Sequence, residues 1–233
     1  MTSQLSSDDA AAFARISQEL AREPDTEQTV QRVVEMAQNR IPGCDYAGFT
    51  MTRKDSLETA AATDPLIGDL DQAQHELGEG PCLSAALTDD TYLVRDTRTD
   101  ERWPRWCARA ADLGILTVLS VQLSGPAPLH AAMNLYSMTL DAYDEDAIIT
   151  AQIYAAHAGT AISAARKQEH LETAMQSRHT IGVAQGLLMQ RYGIGEAAAF
   201  QVLSRQSQEA NVKLRELAKR LVDLARADGG RLT

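Results

Sequence analysis

The last proline in this 233-residue chain is Pro128, and from Asp144 to the C-terminus the sequence is Ala-rich and proline-free. A proline inside a helix costs about 3 kcal/mol, so its absence over so long a stretch lets helix run uninterrupted. A helical pattern extends from about Glu145 to Arg191, and Gly193 and Gly195 stop it. Helices much beyond about 25 residues are usually linkers, coiled coils or repeats rather than core elements. Ile148, Ile153, Ile162, Leu171, Ile181 and Leu188 supply apolar positions without a clean heptad. A homodimer through this helical stalk is therefore expected, with small residues at its seam, because a helix of this length cannot bury its apolar positions alone.

Two further helices follow. Glu196 to Glu209 places Ala199, Phe200, Leu203 and Ser207 along one face. The last helix carries Leu214, Leu217, Ala218, Leu221, Leu224 and Ala225 at amphipathic spacing, with Arg215, Lys219 and Arg226 opposite. Met189 reads as core. Charge separates this end from the rest: from Ala165 to Thr233 there are 11 Lys and Arg against 7 Asp and Glu, or +4, on a chain of net −10. Residues 1 to 164 must then carry −14. Such asymmetry points to a polyanion-binding end, although charged helix faces are commonly just solvated.

Ahead of the stalk the pattern is mixed. Helices are expected at residues 8–22, 25–41, 65–77, 83–87 and 103–113, and strands between Asp45 and Thr63 around the turn Arg53 to Ser56. Tyr92 to Arg95, the buried run Ile115 to Leu123 and Leu129 to Tyr136 complete the strands, the last two joined by a Gly125-Pro126-Ala127-Pro128 turn. This is an α+β arrangement around an antiparallel sheet. Apolar content of 44% and charged content of 23% are ordinary for a globular chain and argue against disorder. The acidic start lacks a signal-peptide pattern, and no stretch approaches the roughly 20 apolar residues of a membrane span, so a cytoplasmic protein without membrane contact is expected. Cys44, Cys82 and Cys107 form no CxxC and have no paired His nearby, which supports neither a disulfide framework nor a metal site. No nucleophile, base and orienting group can be assembled, so no enzyme and no cofactor are expected.

The C-terminal residues carry a specific pattern. Ile181, Gly182, Ala184, Gly186, Leu188 and Met189, then Ala198 to Phe200, then Leu203, Ser207, Asn211, Lys213, Leu214, Arg215 and Ala218 resemble the ANTAR family of RNA-binding antitermination domains. The resemblance implies a three-helix head that dimerises through the stalk and binds two tandem stem-loops in a nascent transcript, excluding the terminator. The expected RNA surface combines Arg178, Gly182, Gln185 and Gly186 with Arg205, Ser207, Asn211, Lys213 and Arg215. Asn and Ser can read base edges of a splayed loop, and glycines leave backbone accessible. Each has a plainer reading: Asn211 as the N-cap of the last helix, the glycines as the place where another helix approaches, the cations as a solvated face.

Residues 25–165 resemble a GAF domain through GEGPC (Gly78 to Cys82), RDTRTDERWP (Arg95 to Pro104), ILTVLSVQL and MNLYS (Met133 to Ser137). The resemblance implies a sensory pocket, assigned to Cys82, Trp103, Asn134 and Tyr136, for an unidentified small ligand or for none. Cys82 reads either as a buried structural thiol or as a sensor thiol whose pKa falls at a helix N-terminus. The expected division is an N-terminal helix (1–24), a GAF-like domain (25–165), an ANTAR unit (166–227) and a tail (228–233). The alternative function is a DNA-binding regulator of helix-turn-helix type, disfavoured by the lack of a short Gly-containing turn between the last two helices.

Overall fold

The computed structural model describes residues 7–53, 56–88, 90–123 and 130–227, in two units that meet between Lys167 and Gln168. Lys54 and Asp55 of the first expected turn, the Gly125 to Pro128 turn and the tail lie outside the described residues.

In the first unit, α1 (Ser7–Leu20) and α2 (Thr26–Arg40) precede β1 (Tyr46–Arg53) and β2 (Ser56–Ala62). Then come α3 (Pro65–Leu77), α4 (Pro81–Thr88), β3 (Thr91–Val94), α5 (Pro104–Asp112), β4 (Thr117–Gln122) and β5 (Ala131–Ser137). Helix α6 (Glu145–Tyr192) gives its first part to this unit. The strands form one antiparallel sheet in the order β2-β1-β5-β4-β3. Every residue of β5 is buried, because both faces of the sheet are covered. Ala131, Met133 and Leu135 join Val30, Val33 and Val34 of α2 and the α6 residues Ala151 to Ile162 in one core. Tyr136 points to the other face, among Ile67 and Leu70 of α3 and Trp106 of α5, while Ala132 meets Cys82, Ala85 and Ala86 of α4. The period-2 alternation of a strand thus feeds two separate apolar layers.

Two local choices bring α3 and α4 close to the sheet. A Cβ on Gly48 would lie 2.7 Å from Ile67 Cγ2, so only glycine in β1 lets α3 approach this closely. Gly80 has φ +151°, and a Cβ there would lie 2.0 Å from Gln74 Oε1, the atom that accepts from the Cys82 N–H at 2.9 Å. Asp64 caps α3 through Leu66 N at 2.9 Å, with Pro65 at the first helical position, which explains why that boundary is legible in the sequence.

In the second unit the remainder of α6 packs with α7 (Glu196–Glu209) and α8 (Leu214–Ala227). Ala184, Leu188, Ala199, Leu203, Ala218 and Val222 form its core. Ala184, Ala199 and Ala218 are completely buried, and their small side chains allow the helix backbones to approach. Met189, read from the sequence as core, is instead 36% exposed, and Phe200 on α7 is 45% exposed. The apolar residues expected to form a dimer seam are mostly used within the chain. Ile162 belongs to the sheet core, Leu188 to the three-helix core and Ile181 packs against it, and only Leu171 is exposed.

Candidate nucleic-acid interface and sensory site

The turn between α7 and α8 is built by Asn211, which adopts the left-handed conformation (φ +51°). Val212 N donates to Ser207 O at 3.0 Å and Asn211 N to Gln208 O at 3.2 Å, the two bonds of a Schellman helix end. Asn211 therefore terminates α7, and the N-cap reading is corrected: α8 begins only at Leu214. The junction is short, but it carries Asn211, not glycine, in the left-handed position. Ser207 Oγ donates to Val212 O at 2.5 Å and locks the same turn. Asn211→Gly should keep the fold, whereas Asn211→Ala should cost the unit about 1 kcal/mol, because a Cβ without a compensating side-chain bond is strained at this φ. Thermal melts of the two variants give this directly, and equal midpoints would contradict it.

Arg178, Arg205, Lys213 and Arg215 are all exposed. Arg205 lies 3.8 Å from Glu209, and the other three make no ion pair among the described residues. Arg215 shares an open groove of about 560 Å³ with Lys219 of α8 and with Thr173, Gln176, Ser177 and Thr180 of α6. Glu172 and Glu216 border it as well. The sequence reading left Lys219 outside the site, and only the packing of α8 on α6 places it with polar groups of another helix. Gln185 donates from Nε2 to Glu196 O at 3.3 Å, tying α6 to the start of α7.

Gly182 and Gly186 are exposed, and nothing lies within 4 Å of a Cβ built on either. Among the described residues no other helix approaches them. They share the outer face of α6 with the exposed side chains Leu171 (57%), Met175 (70%) and Met189 (36%).

The first unit holds a buried polar cluster on the α3/α4 side of the sheet. Asp71, 1% exposed, accepts from Tyr136 Oη at 2.7 Å, from Thr50 and Thr59 Oγ1 at 3.1 Å each, and from Gln74 Nε2 at 3.4 Å. Burial pushes its carboxyl above the ordinary range, and those hydroxyl donors partly oppose the shift. Neighbouring Cys82 is pushed up to about 12, first by burial and then by the Asp71 charge. The low-pKa thiol reading is corrected: the helix start does not offset burial beside a carboxylate. Cys82 should resist iodoacetamide in the folded protein at pH 8 and react after denaturation, as mass spectrometry can check. Rapid modification of native Cys82 would contradict this burial.

Of the predicted sensory residues, Cys82, Asn134 and Tyr136 meet in this cluster. Asn134 Nδ2 donates to Thr50 Oγ1 at 3.4 Å, while Asn134 Oδ1 and Ser120 Oγ on the neighbouring strand are buried without a hydrogen-bond partner among the described residues. Trp103 instead packs edge-on against Tyr92, under the guanidinium of Arg102 at 4.6 Å. The surrounding motifs are structural clasps. Asp96 chelates Arg98, Asp100 chelates Arg102, and Glu79 of GEGPC accepts from Arg105 N and Trp106 N at the start of α5. Burial opposes ionisation of Glu79, but these donors win and hold its carboxyl below the usual value. Among the described residues no group of His, Cys, Asp and Glu is arranged to hold a metal, and no helix is long and apolar enough to cross a membrane.

No protein of curated function matches the chain. Among solved structures, free methionine-R-sulfoxide reductase from Neisseria meningitidis aligns with a TM-score of 0.54 at 19% identity, over 72% of this chain and 99% of that one. The GAF domain of a phosphoenolpyruvate-protein phosphotransferase from Coxiella burnetii aligns at 0.53 and 16% identity, over 69% and 96%. A bacteriophytochrome from the photosynthetic bacterium R. palustris aligns at 0.61 and 14% identity, over 89% of this chain but 46% of that one. At such identities the likeness establishes a shared fold. The family models are more specific: the GAF domain model matches residues 23–163 and the ANTAR domain model residues 169–222. This chain belongs to the GAF domain family, and its sensor domain is followed by an ANTAR domain, the RNA-binding module of antitermination regulators.

Proposed function

We propose that this protein is a signal-responsive transcription antiterminator that binds tandem hairpins in nascent RNA and keeps a terminator from forming. The observation carrying this reading is the set of exposed cations without ion pairs among the described residues, Arg178, Lys213 and Arg215, on the ANTAR unit of an acidic chain. Cations held ready in this way attract phosphates, and bases in a hairpin loop are unstacked and open to polar groups. The RNA site comprises these three with Arg205, Gln185, Ser207 and Asn211. Gln185 and Ser207 act partly by holding the helices in place, since each already bonds a backbone carbonyl.

Gly182 and Gly186 serve a seam with a second copy. Their open backbone and the exposed Leu171, Met175 and Met189 make a mostly apolar face at helical spacing, broken by Arg178. Two tandem hairpins then meet two heads of one dimer, which raises the effective concentration of the second contact. Met175→Glu should shift the protein to monomer at micromolar concentration in light scattering. An unchanged dimer would remove the seam from this face.

The sensory site is the Asn134, Tyr136 and Cys82 cluster, where Ser120 Oγ and Asn134 Oδ1 offer two unused hydrogen-bonding positions to a small polar ligand. Trp103 supports it from the neighbouring clasp. We assign the domains to 1–24, 25–165, 166–227 and 228–233, with the protein acting in the cytoplasm. To test the reading, the full chain is mixed with RNAs carrying two tandem hairpins with randomised loops, and separately with the same sequences as duplex DNA. Enrichment of particular loops, with tighter binding of tandem than of single hairpins, is expected. Duplex DNA binding as tightly as RNA would instead favour the helix-turn-helix alternative.

A further inference from the structure

The three helices of the ANTAR unit enclose a mostly apolar groove of about 600 Å³, lined by Leu188, Tyr192, Ile194, Val202, Leu217 and Leu221 among others. Its volume is in the range of sites that take a flat, drug-sized molecule, about 300–1,000 Å³. Tyr192 ends α6 and is 60% exposed, although it borders an apolar wall, and the Arg191 guanidinium lies 5.6 Å from its ring centroid. A single amide reaches the groove from α7: Gln206 donates from Nε2 to Glu209 at 3.0 Å, so its Oε1 is the acceptor left to face an incoming group. Arg191, Arg205 and Arg220 each adjoin a groove residue in sequence, against the carboxylates Glu209 and Glu216.

Resting on the RNA-binding reading above, we propose that this groove takes one unstacked loop base, stacked on Tyr192 with its amino edge toward Gln206 Oε1. An aromatic ring backed by a guanidinium, over an apolar floor with one hydrogen-bond acceptor, is the arrangement single-stranded nucleic acids use for base contacts. Adenine, cytosine and guanine offer an exocyclic amine to that acceptor, whereas uracil offers only its N3–H, flanked by two carbonyls that Oε1 repels. The groove therefore favours an amine-bearing base over uracil at one loop position. A second copy of the chain would fill the groove less specifically, and it has the outer face of α6 available instead.

The test uses the full chain and a tandem-hairpin RNA selected by it, with 2-aminopurine placed at each loop position in turn. One position should show quenched fluorescence on binding. Tyr192→Phe should bind within about twofold of the parent, whereas Tyr192→Leu, which keeps the apolar contact, should lose the quench and weaken binding about 5- to 150-fold, the span of one lost base-stacking contact. The slope of log affinity against log salt should stay unchanged in Tyr192→Leu, because no phosphate contact is lost. Gln206→Leu should narrow the difference between uracil and the amine-bearing bases at the quenched position. The proposal is overturned if Tyr192→Leu binds like the parent with the same quench. It is overturned in favour of a protein interface if Tyr192→Leu changes the dimer mass by light scattering while RNA affinity is kept. If the parent chain enriches no hairpin, the RNA-binding reading itself fails, and the groove assignment fails with it.

Discussion

Replacing Asp71 by Ala is expected to lower the thermal midpoint of the GAF domain by about 5–15 °C. The carboxylate accepts from Tyr136, Thr50, Thr59 and Gln74 where water cannot substitute. Removing it leaves the phenol and hydroxyls without an acceptor, at about 1–3 kcal/mol for each unsatisfied group, and partial repacking brings the sum to about 2–5 kcal/mol. For a chain of this size each kcal/mol moves the midpoint by about 2–4 °C. A pH signature separates this cost from generic cavity formation. Burial raises the carboxyl pKa of Asp71 above its unfolded value. Its contribution is thus fully present below the unfolded pKa near 4 and is lost as pH rises through the raised folded value. Asp71→Asn, which stays polar and cannot ionise, should gain stability relative to the parent as pH rises over that window. Comparing the two proteins at each pH cancels the opposite trend from Asp96, Asp100 and Glu79, whose depressed pKa values favour folding above the unfolded range. Calorimetric midpoints for Asp71→Asn that track the parent at every pH would place the buried charge elsewhere.

The second large effect concerns RNA. Lys213→Ala with Arg215→Ala should weaken binding of every hairpin and reduce the slope of log affinity against log salt by about one unit per side chain. Both cations are exposed on α8 or its lead-in, and neither is tied to a carboxylate among the described residues. Their removal should leave the fold intact while deleting two phosphate contacts. Asn211→Gly is the companion variant: it keeps the left-handed turn, so a loss of loop preference without a change of salt slope isolates base reading from phosphate binding. If the double variant binds with unaltered affinity and slope, the cations form only a solvated face.

These predictions rest on features of unequal legibility. Helix α3 is visible in the sequence to the residue, since Asp64 and Pro65 open it and Gly78 closes it in the left-handed conformation. Asp71 within it carries its own signal in the sequence: Ile67, Leu70, Asp71 and Gln74 fall on one helical face, and a carboxylate on an apolar face must find donors. Besides Gln74 of α3 itself, the donors come from the β1–β2 hairpin and from β5, 65 residues beyond Asp71, so the cluster exists only once the sheet order is known. Asn211 shows a different limit. Its residue type suits the start of one helix and the end of another equally, and only φ decides between them. For Gly182 and Gly186 spacing is no guide at all. A helix-interior glycine says that something can come close, and among the described residues nothing does. The groove beside Tyr192 is likewise a product of three-helix packing, because its lining residues read individually as ordinary core.

Read-through measured in single-round transcription is the most direct test of the central claim. The template places the selected tandem hairpins so that the second overlaps an intrinsic terminator. Added protein should raise the read-through fraction in proportion to its affinity for the transcript, and Lys213→Ala with Arg215→Ala should abolish that rise. Unchanged termination at protein concentrations that saturate the RNA, or a rise that persists in the double variant, would contradict the account.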